Sequence, residues 1–346
     1  SPHLWQKKGK KWQLRKRVFD LMKNILITGA DGFIGSHLVE LLLKKNYNVT
    51  ALCHYNSHNE LGWLKYSAKN KPRKLKIITG DINDDIFCDN ILKSQDVLVN
   101  LAALISIPHS YTNPRIYFKT NVDGSMNLAK SSLKNKLKKI IHISTSEVYG
   151  TAIYVPIDEK HDLQPQSPYS ASKISAETVM RSFHYSYGLP VVILRLFNTF
   201  GPRQSIRAVI PKIISQLLSD KKEIYLGNLK PTRDFNYVLD TCSAIELASK
   251  KLKVGQIYNY GSGEEINIKD LFKLISKVIG VNAKLTTKKN LLRPKKSEVF
   301  RLLCDNKKFI SATNFKPKFN LKKGLIKTIE WYKDNLDEYK NSEFFE

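Results

Sequence analysis

Cysteine is scarce in this chain of 346 residues, and none of its four cysteines forms a Cys-x-x-Cys pair; they are Cys53, Cys88, Cys242 and Cys304. This scarcity argues against a disulfide framework and against a cysteine-bound zinc ion. We therefore expect reduced, mostly buried thiols, a cytoplasmic location and no metal site. Long apolar runs are also missing, because none reaches the roughly 18 residues that a membrane-spanning helix needs.

Acidic residues are few beside basic ones: 31 Asp and Glu stand against 57 Lys and Arg, a net charge of +26. Residues 1–21 carry seven basic residues and one Asp, a net charge of +6. The rest of the chain therefore has a net charge of +20. Such a field attracts anionic small molecules as well as nucleic acid, but no nucleic-acid-binding motif accompanies it. We interpret residues 1–21 as a basic extension, either a native arm or an added tail, without the apolar segment of a signal peptide.

Short apolar runs alternate with helical patterns through the first 200 residues, which is typical of strands buried on both faces of a parallel sheet. Hydrophobic residues make up 42% of the chain, enough for a sizeable core. Strands are predicted at 23–28, 48–53, 76–81, 96–101, 139–144 and 190–197, and helices at 34–43, 113–135 and 168–187. The alternation predicts an α/β fold with a doubly wound parallel (Rossmann) sheet that binds ligands at the strand carboxyl ends.

Beyond residue 198 the pattern is less regular. It predicts helices at 209–219, 240–250, 268–279 and 321–335, a short strand at 256–260, and a charged loop and strand at 291–303. We therefore predict a dinucleotide-binding domain over 22–197, to which 234–262 return. A smaller C-terminal α/β cap, over 198–233 and 263–340, is expected to bind the substrate.

Three glycines, Gly29, Gly32 and Gly35, lie between the first predicted strand and the first helix. Glycine permits a tight turn and the close approach of a pyrophosphate, and the helix N-terminus offers N–H groups and partial positive charge. The strand–glycine–helix order therefore predicts dinucleotide binding, with Phe33 and Ile34 at the start of the helix in the same site.

The sequence predicts the position of the dinucleotide site, but it does not decide between NAD and NADP. The second strand ends at Cys53, without the acidic residue that reads the ribose of NAD or the Arg that accommodates the phosphate of NADP. Asp81, just past the third strand, is placed either to accept a hydrogen bond from the adenine amino group or to cap a helix.

Tyr169 and Lys173 are four positions apart, so they share one face of a helix. There the ammonium is expected to lower the pKa of the phenol, which can then accept a proton from a sugar hydroxyl. Thr145, at the end of a predicted strand, can hydrogen-bond the same hydroxyl. The alternative is an ordinary surface pair on the helix.

Glu147 adds a second titratable group to this site. Because it stands two residues after Thr145, an extended strand end would direct both side chains to the same side. The alternative interpretation is a surface or capping carboxylate. A carboxylate separate from the tyrosine favours elimination chemistry over simple alcohol oxidation.

Together these residues resemble the extended short-chain dehydrogenase/reductase family, specifically its nucleotide-sugar epimerases and dehydratases, from Met22 to the final helix. The motifs that fall in family order are the glycine turn, 80–82, 100–103, the Tyr/Lys pair and 233–235. Within the family, the chain looks most like the 4,6-dehydratases of the legionaminic-acid pathway; the matching stretches are 145–151, 197–205, 231–237 and 293–299.

The resemblance implies roles for residues that carry no signal of their own. Thr145, Tyr169 and Lys173 match the triad that oxidises the alcohol, and Glu147 matches the base that removes the C5 proton. Ser146 stands where the dTDP-glucose dehydratases carry an Asp that protonates the leaving C6 hydroxyl. Further cofactor contacts are implied for Ile82, Leu101, Ala102, Ala103 and Asn121, and substrate contacts for Asn198, Arg207, Arg233, Arg293 and Glu298.

The function implied is a nucleotide-sugar 4,6-dehydratase that acts on UDP- or GDP-N-acetylglucosamine with NAD, NADP being the open alternative. A 4-epimerase is the first competing hypothesis, and a non-catalytic nucleotide-binding or RNA-binding relative is the second. A homodimer through 113–135 and 168–187 is also implied. The nucleotide, the configuration at C5 and the group that protonates the C6 hydroxyl stay open.

Overall fold

The computed structural model describes residues 22–69, 72–219 and 223–339. The predictions for residues 1–21 and for residue 340 lie outside the described residues. The strands are, in chain order, β1 (Asn24–Thr28), β2 (Asn48–His54), β3 (Leu75–Gly80), β4 (Val97–Asn100), β5 (Lys139–Thr145), β6 (Val191–Leu196), β7 (Asn198–Phe200), β8 (Glu223–Leu226), β9 (Thr232–Arg233), β10 (Phe235–Tyr237), β11 (Ile257–Tyr260), β12 (Ile266–Asn267) and β13 (Lys284–Thr287).

The helices separate these strands and cover both faces of the sheet. They are α1 (Phe33–Lys44), α2 (Lys65–Ala68), α3 (Asp85–Ile91), α4 (Ile107–Thr112), α5 (Pro114–Phe118), α6 (Gly124–Lys134), α7 (Pro168–Tyr187), α8 (Val209–Leu218), α9 (Val238–Lys251), α10 (Ile268–Ile279), α11 (Lys307–Thr313) and α12 (Leu321–Asn335).

Seven parallel strands form the central sheet in the order β11-β6-β5-β4-β1-β2-β3, which confirms the predicted doubly wound fold. The order reverses between β1 and β4, and a ligand crevice is expected at such a point. Successive residues of β1 point to opposite faces, so Ile27 packs with Val39 of α1 whereas Leu26 packs with Met180 of α7. The three central residues of β1, Ile25 to Ile27, are therefore all apolar.

The helix predicted over 113–135 is confirmed over residues 114–134, with a π-helical segment inside it. Helix α5 ends at Phe118, a π-helical segment spans Lys119–Asp123, and α6 begins at Gly124. Asn121 lies in the π segment, where its side chain bonds to groups outside the helix. A one-turn widening of this kind lets a side chain leave the regular helical register.

The remaining strands pair outside the central sheet, as β7 with β10, β8 with β13 and β9 with β12. A buried carboxylate joins these parts: Asp234 accepts hydrogen bonds from the backbone N–H groups of Ser262, Gly263 and Cys304, at 2.8, 2.9 and 3.2 Å. Asp234 therefore ties the β9–β10 turn to the chain that follows β11. The proposed division into two domains stays a prediction.

The strand predicted within 291–303 is wrong. The segment contains two 3₁₀ turns, Lys289–Leu291 and Lys295–Ser297, and a single bridge from Arg301 to Thr232. The segment also contacts helix α4, where Oη of Tyr111 lies 2.6 Å from Oγ of Ser297. The apolar residues that suggested a strand, such as Val299, are buried instead in a small separate core.

A buried ion pair links β6 to α7. Nη2 and Nε of Arg195 donate to the Glu177 carboxylate at 2.6 and 2.9 Å, and both side chains are only 2% exposed. Nη1 of Arg195 donates to Oη of Tyr149 at 2.8 Å, and that hydroxyl donates to Oδ1 of Asn259 on β11 at 2.6 Å. The network therefore joins β6, α7, the 3₁₀ turn Ser146–Tyr149 and β11.

All four cysteines are buried and unpaired, as the sequence predicts. In the described ranges, no helix combines the length and the apolar character that crossing a bilayer requires.

We predict that Glu177→Gln lowers the free energy of unfolding by about 3–5 kcal/mol, because it leaves the Arg195 charge buried without its partner. The double variant Arg195→Met/Glu177→Leu should cost less, since it removes both charges. Urea denaturation measures both effects. The exposed pair Lys327–Glu330 is the control, and Lys327→Ala should change stability by less than about 1 kcal/mol. Equal effects at the two sites would contradict the prediction.

Candidate active site

Three glycines shape the turn between β1 and α1. Gly29 has a φ of +64°, and a Cβ there would come within 3.0 Å of the backbone nitrogen of Ala102. A Cβ on Gly35 would collide with the Gly29 carbonyl oxygen, so α1 packs closely against the turn. Gly32 is the N-cap of α1, which begins at Phe33 and Ile34. The first N–H groups of a helix lack intrahelical acceptors, so this cradle fits the pyrophosphate of a dinucleotide.

The carboxyl ends of β1 and β4 are joined beside this turn. Oγ1 of Thr28 donates to Oδ1 of Asn100 at 2.8 Å and accepts from the N–H groups of Leu101 and Ala102, at 3.1 and 3.0 Å. The half-buried segment Leu101 to Ala103 therefore crosses the sheet edge next to Gly29. This is where the sequence predicts cofactor contacts.

Asp81 lies past the end of β3 and is exposed. Its Oδ1 accepts from the backbone N–H and the amide of Asn83, both at 2.9 Å. The alternative interpretation of Asp81 as a helix cap is wrong, because the N-cap of α3 is Asp84, which accepts from the N–H of Phe87. Ile82 is buried, and the adenine contact of Asp81 stays a prediction.

The side chain of Asn121 is fully engaged within the protein. Its amide donates to the carbonyl of Leu104 at 3.0 Å and to Oγ of Ser172 at 2.9 Å, and its Oδ1 accepts from the N–H of Leu104 at 2.8 Å. Asn121 thus holds the loop after β4 against α7. This arrangement gives it a positioning role, whereas the sequence predicts a cofactor contact.

Helix α7 carries Tyr169 and Lys173, as predicted. The helix starts with a capping box between Ser167 and Ser170 and with Pro168 in its first turn. Both side chains of the pair are buried, and Nζ of Lys173 donates to the Ile143 carbonyl of β5 at 2.7 Å. A hydrogen bond joins Tyr169 to Thr145, the last residue of β5. The three predicted members of the oxidising triad therefore meet.

The expectation that Lys173 lowers the pKa of the phenol is wrong for this structure. Burial raises the pKa of Tyr169, the hydrogen bond from Thr145 opposes that rise, and the charge of Glu147 adds to it. Burial also lowers the pKa of Lys173 to about 8. In both cases the removal of the group from water is the largest cause of the pKa shift.

Glu147 lies in the site, although the strand argument for its direction is wrong. Strand β5 ends at Thr145, and residues 146–149 form a 3₁₀ turn in which the N–H of Glu147 donates to Oγ1 of Thr145 at 3.2 Å. The carboxylate is nevertheless close enough to raise the pKa of Tyr169. Glu147 is 9% exposed and Ser146 is 2% exposed, so neither is a surface residue.

Two arginines stand beside Glu147. Nη1 of Arg293 lies 3.8 Å from Oε2 of Glu147, and this Nη1 is buried without a hydrogen-bond partner. Burial lowers the pKa of Arg233, while the charges of Glu147 and Glu298 oppose that shift and the charge of Arg293 adds to it. Four of the predicted residues therefore form one charged cluster, which we call the Glu147 cluster: Glu147, Arg233, Arg293 and Glu298.

The other two predicted substrate residues are placed near the same cleft. Asn198 starts β7, directly after β6, and its Oδ1 is buried without a hydrogen-bond partner. Arg207 is exposed, and its charge lowers the pKa of Tyr117 against the dominant effect of burial. A buried amide oxygen and an exposed guanidinium are groups that a polar, anionic ligand can satisfy.

Tyr117 is a site residue that the sequence reasoning missed. Its ring meets the ring of Tyr169 edge-on at 6.4 Å, and its hydroxyl donates to the Ser106 carbonyl at 2.6 Å. The same hydroxyl lies 3.2 Å from Nδ1 of His109. The sequence contains a signal that could have identified it. Tyr117 stands four residues before Asn121, and this spacing predicts that the two side chains share one helix face.

The fold and this site define the class of the protein as an extended short-chain dehydrogenase/reductase. The chain belongs to the GDP-mannose 4,6 dehydratase family, whose model matches residues 26–328.

The relatives include both dehydratases and epimerases. A dTDP-D-glucose 4,6-dehydratase of Bos taurus is 32% identical over 330 residues, which cover 93% of this chain and 92% of that protein. The dTDP-glucose 4,6-dehydratase DesIV from Streptomyces venezuelae, solved with NAD bound, has 28% identity and a TM-score of 0.82, and covers 92% of this chain and 99% of DesIV. A UDP-N-acetylglucosamine 4-epimerase from Methanobrevibacter ruminantium has 34% identity and a TM-score of 0.81, with 90% and 99% covered.

These comparisons confirm the family and agree with NAD as its cofactor, since DesIV was solved with NAD bound. The legionaminic-acid type and the individual site residues stay predictions.

We predict that the affinity for NAD falls as the pH rises through about 8, where buried Lys173 loses its proton. The ammonium is the expected donor to the ribose hydroxyls, and a neutral amine is a weaker donor. Calorimetric titration with NAD on either side of this pH measures the effect. Lys173→Met should bind NAD more weakly and without the pH dependence. An unchanged pH dependence in this variant would show that another group titrates.

Proposed function

We propose that the protein is a nucleotide-sugar 4,6-dehydratase that converts UDP- or GDP-N-acetylglucosamine to its 4-keto-6-deoxy form. The observation that carries this proposal is the carboxylate of Glu147 beside the Tyr169–Thr145 pair. An elimination needs a base separate from the tyrosine, because the tyrosine is occupied with the C4 oxygen. Glu147 is buried, near Tyr169, and supplied with cationic neighbours.

The first step is the removal of the C4 hydroxyl proton by Tyr169, with Thr145 hydrogen-bonded to the same oxygen. NAD, when bound, supplies the oxidising capacity at C4 and returns the reducing equivalent at C6. The phenol must be ionised to act as a base, and burial opposes that ionisation in this structure by raising the pKa of Tyr169. The ketone at C4 then makes the C5 proton acidic.

The second step is the loss of water across C5 and C6. Glu147 removes the C5 proton, and the C6–O bond breaks as the double bond forms. Ser146 has no titratable group, so we propose that Glu147 passes its proton to the leaving hydroxyl. Two protons leave the sugar, one from the C4 hydroxyl and one from C5. Two protons are consumed, one by the departing hydroxyl as it becomes water and one by C5 when it is protonated again.

The Glu147 cluster also supplies the charge that the substrate requires. Arg233 and Arg293 are suited to a diphosphate, because a guanidinium can donate two parallel hydrogen bonds to phosphate oxygens. We propose Asn198, Arg207 and Glu298 as further contacts to the sugar nucleotide. The name of the Methanobrevibacter relative supports an N-acetylglucosamine nucleotide as the substrate class.

The epimerase relatives make a 4-epimerase the second candidate function. Such an enzyme oxidises C4, turns the ketone and reduces it again, and needs no base at C5. The buried carboxylate of Glu147 next to Tyr169 favours the dehydratase.

We also propose a homodimer through the helices of 114–134 and α7, and a cytoplasmic location. Ile116 and Phe118 of α5 support the first proposal, since they are 41% and 39% exposed. Exposed apolar side chains are a feature of protein–protein interfaces.

Incubation with UDP- and with GDP-N-acetylglucosamine should give a product that has lost one water from one of the two substrates. Mass spectrometry of the sugar nucleotide measures this, and it identifies the preferred nucleotide. A product of unchanged mass and inverted C4 would show that the protein is an epimerase.

Glu147→Gln should slow water loss by about 10²–10⁴-fold, because the amide cannot accept the C5 proton. Exchange of the C5 hydrogen with deuterated water should slow in parallel, since it reports the same proton transfer. The control is Glu264→Gln, which removes an exposed carboxylate outside the site and should leave both rates unchanged. Elimination at the wild-type rate in Glu147→Gln would mean that another group is the base.

A further inference from the structure

The end of β2 lacks the acidic residue that usually reads the ribose of NAD. Its position is taken by Cys53, which is fully buried, and the strand ends one residue later at His54. A carboxylate nevertheless reaches this point from another part of the chain. Oδ2 of Asp31, in the glycine turn, accepts a hydrogen bond from the backbone N–H of His54 at 3.2 Å.

Asp31 is held in place on its other side as well. Its carbonyl oxygen accepts from the N–H of Trp63 at 3.0 Å. Gly62 makes this approach possible, because it has a φ of +48° and a Cβ there would lie 2.7 Å from the same carbonyl oxygen. The loop after β2 therefore folds back on Asp31 and fixes its backbone.

The charge of Asp31 affects the pKa of the Cys53 thiol. Burial raises the pKa of the Cys53 thiol to about 12, and the Asp31 carboxylate contributes to the rise. The two side chains are therefore neighbours, and an acid at both positions would bring like charges together. A carboxylate at 31 takes the place that an acid at 53 occupies in other dinucleotide folds.

Two cations among the described residues near this turn lie in ion pairs. Nζ of Lys65 lies 2.7 Å from Glu338 and over the ring of Trp63. Nη2 of Arg203 lies 2.7 Å from Glu40. Both cations therefore form ion pairs with carboxylates of the protein, not with the 2′-phosphate of a bound NADP. His54, with an exposed side chain, is the remaining titratable neighbour of Asp31.

We infer that Asp31 reads the 2′-hydroxyl of the adenosine ribose of NAD and excludes the 2′-phosphate of NADP. A carboxylate accepts hydrogen bonds at about four positions, so the His54 N–H leaves acceptor capacity for a ribose hydroxyl. A phosphate at the same carbon would face the carboxylate charge directly. Asp31 is thus a specificity residue supplied by the glycine turn. The inference rests on the dinucleotide site of the proposed function and not on the reaction that follows.

The test is the ratio of the dissociation constants for NADP and NAD, measured by calorimetry on the full chain without sugar nucleotide. Asp31→Asn keeps the shape of the side chain and an acceptor for the His54 N–H, and removes only the charge. We expect the ratio to fall at least about tenfold, mainly through tighter binding of NADP. Asp31→Ser should lower the ratio in the same direction.

Asp81→Asn is the matched control, since it makes the same chemical change beside the adenine, which NAD and NADP share. It should weaken both cofactors alike and leave the ratio unchanged. An unchanged ratio in both Asp31 variants would overturn the inference, and so would an equal loss of affinity for both cofactors, which indicates a structural role. Because binding alone is measured, the outcome is independent of whether the protein proves to be a dehydratase or an epimerase.

Discussion

The buried pair of Arg195 and Glu177 is the interaction on which the candidate site depends. Arg195 comes from β6, Glu177 from the same helix as Tyr169 and Lys173, and Tyr149 from the turn that carries Glu147. A charge without its partner is costly in a dry interior, so these elements keep one relative position. The Tyr169 phenol and the Glu147 carboxylate therefore lie on elements that this single network joins.

Electrostatics divides the rest of the site into two halves. At the glycine turn, backbone N–H groups and a helix end suit the phosphates, and the nearby cations are paired with carboxylates. Around Glu147 the guanidinium groups of Arg233 and Arg293 are buried or half-buried close to a carboxylate. The net charge of +26 adds a field that attracts anionic small molecules from a distance.

Local sequence signals predict an element well where the signal lies within it. Helix α7 has the predicted bounds, because Ser167 and Pro168 define its start and Gly188 its end. The helix over 113–135 is confirmed as well, but its π-helical segment, from which Asn121 bonds to Leu104 and Ser172, is revealed by no local pattern. The prediction of a lowered pKa for Tyr169 is wrong for a related reason. The burial that raises this pKa depends on packing by residues distant in the chain.

The sequence by itself determined the parallel α/β fold, the glycine turn and the meeting of Thr145 with Tyr169. Periodicity and turn residues express the strands and the glycine turn, and the predicted order of the elements places the end of β5 beside α7. Only the tertiary structure decided that Glu147 lies beside Arg293, and that the Asp31 carboxylate accepts a hydrogen bond from the N–H of His54 at the end of β2. Those contacts join residues far apart in sequence, and they form because sheet order and loop packing bring the residues together.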